Sequence, residues 1–180
     1  MLVAELKAEF EPRGWIISAS VSPSAAVIDQ GYDVASLTKN LDMLIVSSYD
    51  YHGNWDGRTG HVAPLYTHSK TRSEAVNNNV NYTVHYLLSL GAEKKKMVVG
   101  MPFYGNTFQL RDLNDTGLDA PSMGPGKPGR FSRTGGFLPY YEVSLEPLSS
   151  YPNYFQMINF LSVTTSKRED LTKRTLSSSP

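Results

Sequence analysis

Residues 44–55 of this 180-residue chain have the sequence LIVSSYDYHGNW, in which an apolar run passes directly into aromatic and polar residues. The first six of these residues predict a β-strand, because a short apolar run bounded by polar residues is typical of a buried strand. Side chains alternate between the two faces of a strand, so Ile45, Ser47 and Tyr49 share one face. The sequence therefore predicts a buried strand whose carboxyl end carries Tyr49 and Asp50.

Helical and extended patterns alternate on both sides of this strand. Further strands are predicted at 15–22 and 96–101, and helices over the first ten residues, after Asp33 and after Asn79. Asp33 and Asn79 are suitable N-caps, because their side-chain oxygens accept hydrogen bonds from the first helical turn. Gly91 follows the last of these helices, where left-handed backbone is common. This alternation predicts βαβ units and a parallel sheet.

The character of the chain changes near residue 110. Glycine and proline are frequent between 110 and 139, with short β-prone segments between them, which predicts hairpins of a small α+β insertion. Clear periodicity is lost after Glu146. Residues 164–180 are rich in Ser, Thr, Lys and Arg, which is typical of a poorly ordered tail.

The composition argues against several classes of function. Lys and Arg number 17, as do Asp and Glu, so no nucleic acid and no membrane surface is expected as a partner. The chain has no cysteine, which excludes disulfides, thiolate metal sites and a cysteine nucleophile. The apolar runs are too short to span a bilayer, and charged residues interrupt the first ten positions, unlike a signal peptide.

The carboxyl end of the strand at 44–49 is the predicted site. In a parallel β/α barrel, side chains at the carboxyl ends of the strands converge on the substrate. Tyr49 and Asp50 would then lie at the barrel mouth, and Trp55 would offer a flat apolar surface to a sugar ring. The alternative is that Tyr49 and Trp55 only pack a loop in which Asp50 is a turn residue, because aromatic clusters usually belong to the core.

Two other patterns predict no site. Residues 124–129 match G-x-G-x-x-G, but a dinucleotide site needs this motif between a strand and a helix, and two prolines remove the amides that it would use. The three histidines between residues 52 and 68 match no metal-ligand spacing. We therefore expect no metal and no cofactor.

Several longer motifs resemble glycoside hydrolase family 18 chitinases. Their sixth-strand region is similar to V-S-S-Y-D-Y-H-G-N-W-D-G-R-T-G-H-V-A-P-L-Y at 46–66. Their seventh strand is similar to G-M-P-F-Y-G-N-T-F-Q-L at 100–110, and their insertion domain to G-P-G-K-P-G-R-F-S-R-T-G-G-F-L-P-Y-Y-E at 124–142. Residues 7–21, which include F-E-P-R-G, resemble the preceding helix and fifth strand. The resemblance is collinear over residues 1–146 and is greatest to the arthropod, multi-domain members.

The resemblance implies an α/β fold, namely an incomplete (β/α)8 TIM barrel with a partial α+β chitinase insertion domain. The implied boundaries are 1–109 for the partial barrel, 110–146 for the partial insertion domain and 147–180 for a divergent, disordered tail. Because the family is mostly secreted, the resemblance also implies an extracellular protein, although the chain carries no signal peptide.

The family hydrolyses β-1,4-linked N-acetylglucosamine polymers with retention, and the acetamido oxygen of the substrate is the nucleophile. The implied ligand is therefore chitin or a chito-oligosaccharide. The resemblance implies supporting catalytic roles for Tyr49, which would hydrogen-bond the acetamido group, and for Asp50, which would contact the sugar. Trp55 would line the leaving-group subsites, and Tyr104 would reach the substrate from the rim.

This chain departs from the family pattern in three respects. Ser47 and Asn106 occupy substrate-binding positions where the family usually has Met and Arg, which loosens one subsite wall and removes a rim cation. The motif D-x-x-D-x-D-x-E, whose Glu protonates the leaving oxygen, does not occur in the 180 residues. The chain thus resembles a middle segment of a chitinase, and we expect it to be inactive alone.

Three interpretations stay open, and they leave open whether the chain should be classed as an enzyme. It is a fragment of a chitinase whose activity belongs to a longer protein, a non-catalytic chitinase-like protein that binds chitin or chito-oligosaccharides, or a chain with no independent function. The first is favoured for family identity.

Overall fold

The computed structural model describes residues 2–145 and 154–157. They divide into two compact units. We call the first the parallel unit; its described residues are 2–51 and 66–101. We call the second the antiparallel unit; its described residues are 52–65, 102–145 and 154–157.

The parallel unit alternates helices with strands. Its elements are α1 (Leu2–Phe10), β1 (Ser18–Val21), α2 (Ala25–Gly31), α3 (Val34–Asn40), β2 (Met43–Val46), α4 (Val80–Ser89) and β3 (Met97–Val99). The three strands are parallel in the order β1-β2-β3. The predicted parallel sheet is therefore confirmed, although each strand is shorter than predicted and α2 was not predicted.

The helix boundaries follow from their capping residues. The Asp33 side chain accepts a hydrogen bond from Ser36 N at 3.0 Å and begins α3. The Asn79 side chain accepts one from Tyr82 N at 2.8 Å and begins α4. Gly91 has a φ of +94°, as expected for the residue that follows a helix. Both predicted caps and the predicted left-handed glycine are confirmed.

The core of the parallel unit lies on one face of its sheet. Leu44 and Val46 of β2 are buried, whereas Ile45 between them is only half-buried, which confirms the predicted alternation. The buried face packs against the helices in one apolar cluster. That cluster consists of Ile17, Val21, Ile28, Val34, Leu41, Leu44, Val46, Leu87 and Ala92.

The antiparallel unit is built around one long strand. Its elements are β4 (Tyr104–Leu110), β5 (Ser122–Pro125), β6 (Phe137–Pro139), α5 (Tyr140–Leu145) and β7 (Tyr154–Met157). Strand β4 pairs antiparallel with β5, β6 and β7. Strand β4 precedes the segment 110–139 in which hairpins were predicted, whereas β5 and β6 lie within it. Phe108 of β4 is fully buried.

The predicted tail falls mostly outside the described residues. Within it, the structure describes only β7, which pairs with residues 106–109 of β4. The domain boundaries at 109/110 and 146/147 stay predictions. Among the described residues, no helix is long and apolar enough to cross a membrane.

Candidate functional site

The carboxyl end of β2 is held by the backbones of both neighbouring strands. Ser47 N donates to Val21 O at 3.0 Å, and Gly100 N donates to Val46 O at 2.9 Å. The Ser48 hydroxyl donates to Gly100 O at 2.7 Å. These bonds extend the ladder beyond the last residue of β2, so the site residues that follow start from a rigid base.

Tyr49 and Asp50 follow this base directly. The Tyr49 ring packs against Gly100, where a Cβ would lie 3.0 Å from the ring and 2.9 Å from Val46 O. Asp50 is exposed and has a φ of +59°, a left-handed conformation that is uncommon outside glycine. Such strain is found more often at functional positions than elsewhere. Sequence reasoning did not predict it.

Tyr51 anchors the chain after this left-handed residue. Its hydroxyl donates to Thr83 Oγ1 at 2.7 Å, and the Thr83 hydroxyl donates to Pro23 O at 2.9 Å. The Tyr51 side chain is 6% exposed, whereas Tyr49 is half-buried. Burial raises the pKa of Tyr51 to about 12, although its bond to Thr83 lowers it. Because its pKa is raised, the Tyr51 hydroxyl is a neutral hydrogen-bond donor. The left-handed backbone of Asp50 breaks the alternation of side chains that would have placed Tyr51 beside Tyr49.

Trp55 lies in the antiparallel unit on a short 3₁₀ turn, Asn54–Asp56. Its side chain is 61% exposed. One edge of the indole rests on Gly53, where a Cβ would overlap the ring atoms Cη2 and Cζ3. Gly57, with a φ of +64°, ends the turn. Gly53 thus leaves room for the indole against the backbone, and Gly57 allows the turn to end directly after it.

Polar contacts fix the turn that carries Trp55. The His52 ring donates from Nδ1 to Asp56 Oδ2 at 3.1 Å, and Gly53 N donates to the same oxygen at 3.2 Å. Asn106 Nδ2 donates to His52 O at 2.7 Å, and Asn106 is 5% exposed. We call the Asp56 carboxylate, the His52 ring and the Gly53 amide the Asp56 clasp. It was not predicted, because His52 was considered only as a possible metal ligand.

Tyr104 opens strand β4 and is half-buried. Its ring centroid lies 5.0 Å from that of Phe137, with the two planes tilted by 37°. This aromatic pair joins β4 to β6, whose antiparallel register places Tyr104 opposite Pro139. The contact holds the Tyr104 ring in place at the start of the strand.

Glu142 is the most deeply buried carboxylate among the described residues, at 1% exposure. Burial opposes its ionisation, but the Ser132 hydroxyl and the amides of Phe131 and Ser132 favour it more strongly, so the pKa of Glu142 lies below its ordinary value. Its Oε1 accepts from both amides, the Ser132 N distance being 3.0 Å. Glu142 thus fastens the loop before β6.

The predicted site residues divide between the two units. The parallel unit brings together Ser47, Tyr49 and Asp50, and the antiparallel unit contains Trp55, Tyr104 and Asn106. In residues 2–145 and 154–157, no group of three or more His, Asp or Glu side chains is placed to hold a metal ion. The side chains of the two groups can offer hydrogen bonds and aromatic stacking to a ligand.

Comparison with protein families gives one match over most of the chain. The model of glycosyl hydrolases family 18 matches residues 1–175. The chain is 47% identical over 141 residues to probable chitinase 10 of Drosophila melanogaster, which covers 78% of this chain and 6% of that protein. It is 41% identical to an oviduct-specific glycoprotein of Sus scrofa over 71% of this chain and 23% of that protein. The chain thus spans a minor part of these relatives.

Solved structures agree with this match. The second catalytic domain of the Group II chitinase of Ostrinia furnacalis superposes with a TM-score of 0.75 at 48% identity, over 79% of this chain and 37% of that one. Human YKL-39, described as a pseudo-chitinase that retains chitooligosaccharide binding, superposes with a TM-score of 0.82 at 29% identity, over 96% of this chain and 53% of that one. These neighbours confirm the predicted incomplete α/β barrel fold.

Proposed function

The chain belongs to glycosyl hydrolases family 18 and is similar to arthropod chitinases, and from this we propose that its 180 residues bind chitin or chito-oligosaccharides without hydrolysing them. Two lines support the proposal. A neighbour of similar fold is described as a pseudo-chitinase with retained chitooligosaccharide binding. The chain itself presents an exposed tryptophan on a turn that is held by hydrogen bonds to Asp56.

The exposure of Trp55 is the observation that carries the proposal. A large indole that is 61% exposed leaves apolar surface in water, and a sugar ring that stacks on it removes that surface from water. The faces of N-acetylglucosamine rings carry C–H groups that suit such stacking. Trp55 therefore supplies most of the binding free energy in this proposal.

The parallel unit would offer polar contacts of its own to a chito-oligosaccharide. The Tyr49 hydroxyl would donate to the acetamido group, and the exposed Asp50 carboxylate would accept from a sugar hydroxyl. Hydrogen bonds to sugar hydroxyls select among ligands because an unpaired polar group is costly to bury. Further contacts at the rim are proposed for Ser47 and Tyr104, whereas Asn106 is buried and its amide is bonded to His52 O.

Hydrolysis needs a proton for the glycosidic oxygen, and general acid catalysis of this kind contributes about 10²- to 10⁴-fold. The family's donor belongs to D-x-x-D-x-D-x-E, which does not occur in this sequence. Glu142 is unsuited to replace it, because its lowered pKa leaves it ionised near neutrality and its Oε1 already accepts from two amides. In a protein that also carries the acidic motif, Tyr49 and Asp50 would assist retaining hydrolysis.

We further propose that the protein acts outside the cell, where chitin-type polymers are deposited. Two functions of the full protein are consistent with this behaviour of the 180-residue chain: the chain is a segment of a longer, active chitinase, or it belongs to a non-catalytic chitinase-like binding protein. The two differ in whether the acidic motif accompanies this segment in the full gene product.

Binding can be tested with native gels that contain glycol chitin. The 180-residue chain should be retarded, and a Trp55→Ala variant should be retarded measurably less, with an affinity at least about tenfold weaker. Trp15 provides a matched control, because it is 57% exposed and packs edge-on against Phe10 in the parallel unit. Retardation that is lost in Trp15→Phe and kept in Trp55→Ala would contradict the proposal.

A further inference from the structure

The residues of the Asp56 clasp lie on both sides of Trp55 in the sequence, and their hydrogen bonds close the turn that carries the indole. One oxygen, Asp56 Oδ2, accepts from the His52 ring at 3.1 Å and from Gly53 N at 3.2 Å. In the opposite direction, Asp56 N donates to Gly53 O at 3.0 Å. Gly53 and Asp56 are thus joined by two hydrogen bonds, with Trp55 on the turn between them.

The clasp also determines where the indole rests. Its ring lies against Gly53 so closely that a Cβ at that position would overlap it. Any rotation of the Gly53 peptide that broke the bond to Asp56 would move the surface on which the indole lies. The side chain of Asp56 is 33% exposed and that of His52 is 16% exposed, so water competes only partly for these bonds.

The clasp is in turn tied to strand β4. Asn106, buried within β4, donates from Nδ2 to His52 O at 2.7 Å. The His52 side chain packs on Gly60, where a Cβ would overlap the histidine Cβ. The position of the indole is therefore connected, through His52, to β4, the longest described strand of the antiparallel unit.

We propose that Asp56 is a positioning residue that sets sugar affinity by holding the Trp55 indole in its binding orientation, without touching the sugar itself. This inference rests on the proposed sugar-binding role of Trp55. A surface tryptophan on an unfastened turn would lose rotational freedom when a sugar binds, which weakens binding. The clasp removes that loss by ordering the turn in the free protein.

The first test combines substitutions at the two positions. Asp56→Ala should weaken retardation by glycol chitin about tenfold, because two hydrogen bonds to a carboxylate are lost. Asp56→Asn should have a smaller effect, because its amide oxygen still accepts from Gly53 N. In a Trp55→Ala background, Asp56→Ala should produce no further loss. Asp115→Asn, an exposed acid of the same unit, is the charge-matched control.

The second test reads the indole directly. The chain labelled with 5-fluorotryptophan should give two ¹⁹F resonances, which Trp15→Phe assigns. Asp56→Ala should shift and sharpen the Trp55 resonance and leave that of Trp15 in place, as expected for an indole that has become mobile. This readout holds even if Trp55→Ala shows that Trp55 does not bind sugar, so failure of the proposed function is distinguishable from failure of the positioning role.

Two results would overturn the inference. An Asp56→Ala variant that weakens binding equally in the wild-type and Trp55→Ala backgrounds would make Asp56 a direct sugar contact. An Asp56→Ala variant with an unchanged Trp55 resonance would show that the clasp does not order the indole.

Discussion

The parallel and antiparallel units differ in the size of the apolar core that each buries. The parallel unit buries one continuous apolar cluster between its sheet and helices, which includes Leu44, Val46 and Leu87. The antiparallel unit has a smaller set of buried apolar residues, and some of its buried polar side chains make hydrogen bonds. The side chains with such bonds are Thr59, Asn106 and Glu142.

This difference extends to the candidate site residues. Tyr49 and Asp50 follow a strand end whose neighbouring backbones hold it on both sides. Trp55 and its turn depend on a carboxylate and an amide side chain. A site residue on the parallel unit should therefore respond chiefly to core substitutions, and one on the antiparallel unit to changes in charge and hydrogen bonding.

Core truncation should have the largest effect. Phe108→Ala removes a fully buried ring and should destabilise the antiparallel unit by about 3–5 kcal/mol, because it leaves a cavity. Leu87→Ala, at a fully buried position of α4, should cost the parallel unit about 2–5 kcal/mol. Amide exchange in β4 and in β2 measures the two effects, and unchanged protection in the strand concerned would refute the packing described for that unit.

Loss of the Glu142 carboxylate should have the next largest effect. Because the folded-state pKa of Glu142 is lowered, its contribution is present above the unfolded pKa near 4.5 and is lost as the pH falls through the folded value. Glu142→Gln should lower the melting temperature by about 5 °C at pH 7, since two amides lose a charged acceptor.

Thermal melts between pH 3 and 7 distinguish this contribution from general acid sensitivity. The difference between wild type and Glu142→Gln should shrink as the pH falls below 4.5, because the unfolded chain then binds a proton that the folded carboxylate does not yet bind. Asp115→Asn should run parallel to wild type throughout. A difference that stays constant down to pH 3 would show that Glu142 acts by packing alone.

Removal of the Tyr51 hydroxyl should have the smallest effect. Tyr51→Phe loses one hydrogen bond, while Thr83 keeps its bond to Pro23 O, so the free energy of unfolding should fall by about 1 kcal/mol. Because burial raises the folded pKa of Tyr51 to about 12, its contribution is complete below pH 10 and is lost as the pH rises toward 12. Urea unfolding at pH 8 and pH 11 tests both statements; a larger difference at pH 11 would contradict them.

The parts of the fold that sequence reasoning predicted depend on local signals. The caps Asp33 and Asn79 and the alternation along 44–46 are properties of a few neighbouring residues, and the structure contains all of them. Helix α2 was missed because its seven residues are too few to show a clear helical period. Ser24, which precedes it, makes no side-chain cap hydrogen bond in the structure. Strand β4 was not predicted as one element, because its first residue, Tyr104, lies inside the motif at 100–110 that resembles the seventh barrel strand of the family.

The site was predicted only at the level of its residues. Nothing in the sequence marks Asp50 for left-handed backbone, since that conformation is imposed by what surrounds the turn. The Asp56 clasp joins His52 to Asp56, four residues later, across the turn that carries Trp55. The hydrogen bond between Asn106 and His52 joins residues 54 positions apart. Contacts of this kind depend on the folded chain and leave no periodic signal.

Saturation-transfer difference NMR of chitohexaose with the 180-residue chain tests the central proposal most directly, because one sample reports both binding and hydrolysis. We expect saturation of the sugar rings and acetamido methyl groups, weakened in Trp55→Ala and kept in Trp15→Phe, with dissociation constants on the order of millimolar. No new reducing-end signals should appear over days at pH 4 to 8. Absence of saturation transfer, or the appearance of shorter oligosaccharides that co-purify with the chain, would contradict it.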